Sequence, residues 1–512
     1  MYRIHQIKLR WDEPLEEIPR KIGKKLGWKG NHPEILEWVI RKESIDARNK
    51  SQIFRVYTID FQLSEPFKQG KDGLVELVNE DPWVPPSYGG KQLEHSPVIV
   101  GFGPAGMFAA LVLSEAGFQP VILERGASME DRIHKVNQFW RDGILDEETN
   151  VQFGEGGAGT FSDGKLTTGI RDVRIQKVLK ELVEAGANPN ILYKQKPHVG
   201  TDVLRKVVVE IREKIKRAGG SFQFQTKLTD LVFEEGRIMG VQMGEKGTIP
   251  TESLVLAIGH SARDTQEMLH NRGLAMEQKP FSMGLRIEHP QSLIDESQLG
   301  NVSTAVLGPA EYKLVYRGSS GRGVYTFCMC PGGQVILASS EKESLVTNGM
   351  SNHDRSSGKA NSALLVEVGP TDFPSSHPLA GVWWQREVEK KAFQQSGNQY
   401  RYLTCSVEEF VENKGAGNKV RGCLPEFIGD HLVEALPFMS KKIQGFDGPK
   451  ARLYGVETRS SSPIRIRRDE MYQSNIKGLY PTGEGAGYAG GIMSAAVDGI
   501  RVAEQIMKTY YI

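Results

Sequence analysis

The segment from Val98 to Ala110, VIVGFGPAGMFAA, narrows what this chain can fold into more than any other stretch of it. An apolar run suited to a buried strand passes directly into G-x-G-x-x-G, and an apolar helix follows. That order is the dinucleotide-binding turn of a βαβ unit. Gly101 makes the tight turn, Gly103 lets the backbone approach a pyrophosphate, and Gly106 lets the helix lie close to the strand. Pro104 and Ala105 fall at the helix start, where free N–H groups and the positive dipole end favour phosphate. A second strand, Gln119 to Leu123, ends in Glu124 and Arg125, roughly twenty residues past Gly101, where a carboxylate can accept from ribose hydroxyls. A glycine turn without a ligand is the plainer reading, but strand, glycines, helix, strand and acid stand here in register.

A second glycine-rich segment lies far downstream, from Gly478 to Gly499, reading GLYPTGEGAGYAGGIMSAAVDG. It predicts a strand, an acid in a glycine loop and a helix of small residues, so the loop can hold a polyol and the helix N-terminus another polar group. Together the two segments resemble the FAD-binding fold shared by glutathione reductase and p-hydroxybenzoate hydroxylase. The resemblance implies noncovalent FAD, with ADP on the first motif and Gly483 and Glu484 at the ribityl chain. It also implies Gly491, Ile492 and Met493 near the flavin pyrimidine edge; the usual late acid of that fold is Asp, one methylene shorter than Glu484. Leu254 to Ser261, with Ala257 and Gly259, is similar to the strand and turn passing the phosphates. Thr226 to Asp230 is similar to the strand that meets adenine, at Leu228.

The loop from Gly154 to Leu166 carries Gly156, Gly157 and Gly159, a density of glycine that suits close approach of backbone to a ligand. This loop is expected to cross the pyrophosphate and reach the isoalloxazine ring. With the N-terminal module and the segment from Gly455 to Ile466, it makes the whole chain resemble a bacterial group of uncharacterised FAD-dependent dehydrogenases, which implies no settled substrate.

A chain of 512 residues exceeds one core, since cores stop growing near about 250–300 residues. The expected class is α/β: a split Rossmann-like FAD-binding domain, an inserted α+β substrate or cap domain, and a small N-terminal α+β module of ferredoxin-like type. Residues 1–88 form the module, with strands around Ile4, Ile7 and Leu9, from Ile35 to Ala47 and from Ile53 to Leu63, and a helix from Leu15 to Leu26. The proline- and glycine-rich stretch 81–90 links it to the first FAD-binding part, 89–280. The insertion spans 281–444, including a polar loop from Thr347 to Ser362, and the second FAD-binding part spans 445–512.

Catalytic candidates come from the same regions. Lys165 either stabilises negative charge on reduced flavin or is a solvated surface lysine; Glu457 and Arg459 either face an anionic substrate or form an ordinary ion pair. His353 is a histidine in a long polar loop, and Arg465 and Arg467 read as a solvated strand edge. Cys328 and Cys330 lack C-x-x-C spacing and read as buried small hydrophobes, and no metal site is expected. Segments 317–323 and 415–422 fail as a second nucleotide fingerprint, so any NAD(P)H would visit the flavin transiently.

Lys and Arg total 64 against 63 Asp and Glu, so the net charge of +1 gives no field to attract a polyanion, and nucleic acid is not expected as a partner. Four scattered cysteines and the absence of a long apolar run predict a reducing, cytoplasmic setting without membrane spans. The reading is an FAD-dependent oxidoreductase moving hydride between a small organic substrate and the flavin. Two alternatives stand beside it: a non-redox, hydratase-like flavoenzyme, or an RNA- or protein-associated flavoprotein recognising its partner through Lys21, Lys24, Lys25, Lys29 and Arg41 of the module. The oligomeric state is open.

Overall fold

A computed structural model describes residues 1–29, 32–66, 73–78, 82–302, 304–318, 320–413 and 417–512. Asp81 of the expected linker, Ser319 within 317–323 and residues 415–416 within 415–422 lie outside the described residues.

In the N-terminal module Ile4 and Ile7 are three apart, so a strict period of two would send them to opposite faces. A bulge between them, with Gln6 at φ 54°, resets the phase, and Ile4, Ile7 and Leu9 all point inward. The strand Tyr2–Arg10 therefore lies between Phe54–Leu63 and Val75–Leu77, with Ile35–Asp46 beyond Phe54–Leu63, every pairing antiparallel. This is the strand order of a ferredoxin-like sheet. A single helix of the described module, Ile18–Lys25, covers one face through Ile18 and Ile22. The module is tied to the body by backbone pairing: Glu43 N–H donates to Tyr193 O at 2.8 Å and Gln195 N–H to Glu43 O at 2.9 Å.

The body is a five-stranded parallel sheet in the order Leu479–Pro481, Leu254–Leu256, Val98–Val100, Val121–Leu123, Ser221–Gln223. The first four of these short strands are apolar and buried or nearly so, as parallel strands flanked by helices must be, while the edge strand Ser221–Gln223 is partly exposed. The helix Pro104–Glu115 is nearly all apolar and lies against Ile492–Thr509; a Cβ built on Gly499 would fall on the Ala105 backbone, so these helices meet at backbone distance. The linker runs along the end of that second helix: Gly89 N–H donates to Met507 O at 2.8 Å, and Lys91–Gln92 pair in parallel with Tyr510–Tyr511.

The expected strand from Thr226 to Asp230 is irregular up to Thr229, and a small antiparallel sheet begins at Asp230. Gln225 at φ 51° breaks the extended run, and Thr226 N–H turns back to Glu124 O at 2.9 Å.

A six-stranded antiparallel sheet forms the second layer system. Its order is Val315–Arg317, Gly323–Cys330, Lys359–Val368, Phe281–Pro290, Arg452–Glu457, Leu403–Ser406. The helices Ala380–Gln395 and Glu426–Ser440 share its core. The sheet runs past residue 444, since Arg452–Glu457 pairs with its central strand. The segment expected as a polar loop from Thr347 to Ser362 is part strand: Thr347–Met350 pairs with Gln334–Leu337, and Lys359–Val368 begins inside it. Composition misleads at the two strands because polar residues there are buried and bonded, Thr347 Oγ1 to Val456 O at 3.1 Å and Ser362 Oγ to Phe327 O at 3.0 Å, whereas Asn352, Asp354, Ser356 and Ser357 between them are exposed. No helix of the described residues is long and apolar enough to cross a membrane.

Candidate functional site

Residues immediately following four of the five parallel strands, Gly101, Glu124, Ala257 and Thr482, line a cavity of about 370 Å³. Ligands of open parallel sheets bind at this edge, where the strands end and the helices begin.

The three glycines of the first motif do different work. A Cβ on Gly101 would strike the Ala257 carbonyl, and one on Gly106 the Gly101 carbonyl, so both are required by close packing. Gly103 differs: its Cβ would meet nothing nearer than the Gly157 Cα at 3.8 Å, because its open side is the cavity. Gly103 is also the N-cap of Pro104–Glu115 and supplies no side-chain cap, so the N–H groups of that first turn face the cavity beside Pro104 and Ala105. Gly491 caps Ile492–Thr509 in the same bare manner, and Gly491 and Ile492 line the cavity. Met493 sits one step inward and is core.

Glu124 lines the cavity, but its carboxylate already holds the surrounding turns together. It accepts from Phe102 N–H at 2.9 Å, Gly126 N–H at 2.9 Å and Gly154 N–H at 3.0 Å. Of a carboxylate's roughly four acceptor positions one remains open. Arg125 lies over the Phe153 ring at 4.0 Å and is braced by Glu148 at 2.8 Å and Asp264 at 3.0 Å, with Leu228 on the same wall.

Gly157 and Gly159 line the cavity, while Gly156 at φ 84° turns toward the side chains of Thr160 and Val208. This loop is shaped by a residue that no motif marks. Arg132 is fully buried and donates to the carbonyls of Asn150, Val151, Gly154, Glu155 and Gly157 and to Thr160 Oγ1, at 2.6 to 3.3 Å. Burial pulls its pKa down to about 9. Gly259, Gly483 and Glu484 complete the wall, with His260 Nδ1 3.3 Å from Glu484.

At the other end Lys165, Glu457 and Arg459 reach the cavity from two segments. Burial alone would lower the Lys165 pKa, but Asp163 and Glu311, each at 3.2 Å, outweigh it and hold the ammonium charged. Asp163 is pulled down to about 2, against its burial, by Lys165 and Arg355. Glu457 is pushed up by burial, though both its oxygens accept from Arg286, at 2.7 and 2.8 Å. Arg459 is less free than a substrate fork would be: Nε and Nη2 are closed on Glu389 at 3.0 and 2.7 Å, and Arg263 grips the same carboxylate from the body. His353 is not a lining residue. Its ring stacks on His198 at 5.4 Å and its Nδ1 lies 2.9 Å from Val199 O, pinning a turn behind the site. No group of three or more His, Cys, Asp or Glu suited to a metal occurs among the described residues.

Fold and cavity define a mixed α/β protein in which a glycine-lined cavity at the edge of a parallel sheet is walled by a second, antiparallel sheet. The chain belongs to the family of an uncharacterized protein of Clostridium beijerinckii, to which it is 45% identical over 531 residues, covering 99% of both chains. Residues 280–460 match a family described as FAD-dependent protein, C-terminal domain-like, and residues 1–62 a domain of unknown function. The first match brackets the six-stranded sheet from Phe281 to Glu457. Among solved structures, L-proline dehydrogenase from P. horikoshii is similar at 14% identity and TM-score 0.36, covering 82% of this chain and 94% of its own. Glycine oxidase from Bacillus cereus follows at 10% and 0.35, covering 82% and 98%, and CtdE in complex with FAD at 14% and 0.33, covering 81% and 84%.

Proposed function

We propose that this protein is an FAD-dependent oxidoreductase acting on a small organic substrate. One observation carries the reading: two helix N-termini without side-chain caps, at Gly103 and Gly491, open on one cavity that Gly101, Gly154, Gly157, Gly159, Gly259 and Gly483 also line. Such a cradle suits a ligand with several polar and anionic groups along its length. The residues fit FAD in order. Glu124, Arg125 and Leu228 hold the adenosine end, Gly103, Pro104, Ala105 and Gly157 the pyrophosphate, and Gly483 and Glu484 the ribityl chain, with Ala257 and Gly259 alongside. Gly491 and Ile492 meet the pyrimidine edge, with Gly159 opposite. Bound there, FAD would supply a two-electron acceptor.

The chain's own part is positioning and electrostatics. Lys165, held charged by Asp163 and Glu311, presents a cation where negative charge would develop, and Glu457 and Arg459 set polarity on the substrate side. The antiparallel sheet closes that side and limits water. The purified protein is expected to be yellow and to release FAD on denaturation. Recovery of FMN, or colourless protein that FAD cannot reconstitute, would end this reading. Reduction by NADH or NADPH, followed anaerobically at the flavin bands, is expected to show weak, reversible nicotinamide binding, since no second fingerprint domain exists among the described residues. Saturation at low micromolar nicotinamide would contradict that.

A further inference from the structure

We infer that Cys328 and Cys330 form a redox-active dithiol exchanging two electrons with the cofactor of this cavity, an inference that rests on the flavoprotein reading above. A regular strand would put both sulfurs on one face. Here the register slips between Phe327 and Cys330, and Cys328 takes a left-handed conformation at φ 44°. That backbone is uncommon for a residue with a side chain, and bulges re-aim side chains next to sites. The outcome gives two neighbouring thiols different surroundings: Cys328 lines the cavity, with Phe327, Asn348 and Glu457 also in the wall, and Cys330 is fully buried.

One guanidinium fixes both. Arg286, itself fully buried, donates through Nη2 to Cys328 O at 2.9 Å and to Cys330 Sγ at 3.5 Å, while Cys330 Sγ–H lies 3.4 Å from Cys328 O. The hydrogen bond from Cys330 and the charges of Arg286 and Lys165 lower the Cys328 thiol, and the same bond raises Cys330. One sulfur is thus disposed to be thiolate and the other to hold its proton, the arrangement of an attacking and a resolving thiol. The chain's other cysteines, Cys405 and Cys423, are pushed by burial up to about 11 and about 12.

In the oxidative direction the S–H bonds of Cys328 and Cys330 break and an S–S bond forms. Two protons leave, and the electron pair passes to oxidised flavin, which becomes two-electron reduced. The reverse direction opens the disulfide at the expense of reduced flavin.

The test uses the holoenzyme. After diamide treatment and alkylation, the tryptic peptide from Gly323 to Lys342, which carries both cysteines and no internal Lys or Arg, is expected unalkylated and lighter by two hydrogens; after dithiothreitol it is expected doubly alkylated. Anaerobic dithionite titration of oxidised protein should consume one two-electron equivalent beyond its FAD content. C328S and C330S should each lose that extra equivalent while keeping FAD, and C405S should retain it. A wild-type peptide that stays fully alkylatable after diamide, or a titration that ends at the FAD content, overturns the dithiol even if both variants fail to fold. An oxidisable pair in protein that binds no FAD would instead overturn the cofactor reading and with it the electron exchange.

Discussion

A Cβ on Gly103 would project into the cavity without touching protein closer than 3.8 Å, whereas one on Gly106 would collide with a backbone carbonyl. Gly103→Val is therefore expected to fold with an apo melting temperature near wild type but to be purified without FAD. Gly106→Val should be poorly folded even without cofactor, by thermal melt and circular dichroism. Wild-type flavin content in the first variant would show that the motif faces something else. Glu124 carries a double burden. Its three bonds to backbone N–H groups join the turns at 102, 126 and 154, and charge-assisted bonds contribute roughly 1.5–3 kcal/mol each when intact. Glu124→Ala should lower the apo melting temperature as well as weaken FAD; an unchanged apo melt with weakened FAD would assign the residue to the ligand alone. The sequence pointed to Glu124 through its spacing from Gly101. It could not indicate the partner Gly154, which reaches Glu124 from the glycine loop 30 positions downstream.

Among elements, the loop from Gly154 to Leu166 is held from two sides, by Arg132 through its carbonyls and by Asp163, which accepts from Arg355 and Ser351 of the antiparallel domain. Asp163 titrates near 2 when folded against an ordinary value of 3.8. A carboxyl with a depressed folded pKa gives stability that is complete above 3.8 and lost as pH falls toward 2, on the order of 2 kcal/mol here. Asp163→Asn should remove that part of the acid limb in urea titrations run between pH 4 and pH 2. Equal slopes in both proteins would refute the assignment. Glycine density announced this loop, yet Arg132 was invisible: a lone arginine in an ordinary helix has no pattern that distinguishes a solvated side chain from one that organises a turn. The polar strands near Thr347 and Asn361 were hidden for a related reason, since a bonded, buried polar residue has the same letter as a solvated one. The helices at 104 and 492 and the central strands were legible because apolar runs and glycine turns depend on neighbours in sequence.

At the scale of the whole molecule, Glu389 of the helix Ala380–Gln395 lies fully buried between Arg263 of the body and Arg459 near the cavity. Removing its charge leaves two buried guanidinium groups facing each other, and breaking a buried pair this way costs about 3–5 kcal/mol. Glu389→Gln should lower the melting temperature strongly and loosen both sheets together; calorimetric unfolding that stays at the wild-type temperature would show the junction to be held elsewhere. The parallel sheet carries a consequence of another kind. Its edge strand Leu479–Pro481, the acid Glu484 and the helix from Ile492 all follow the antiparallel domain in the chain, yet they pair with Leu254–Leu256 and pack on the helix that follows Gly103. During synthesis the first half of the cradle must wait, with one side of Leu254–Leu256 unpaired, while some two hundred intervening residues are made and folded. The cavity is accordingly completed only after Leu479 to Thr509 have been made, and a ribosome stalled before Leu479 is expected to display a site that cannot yet close.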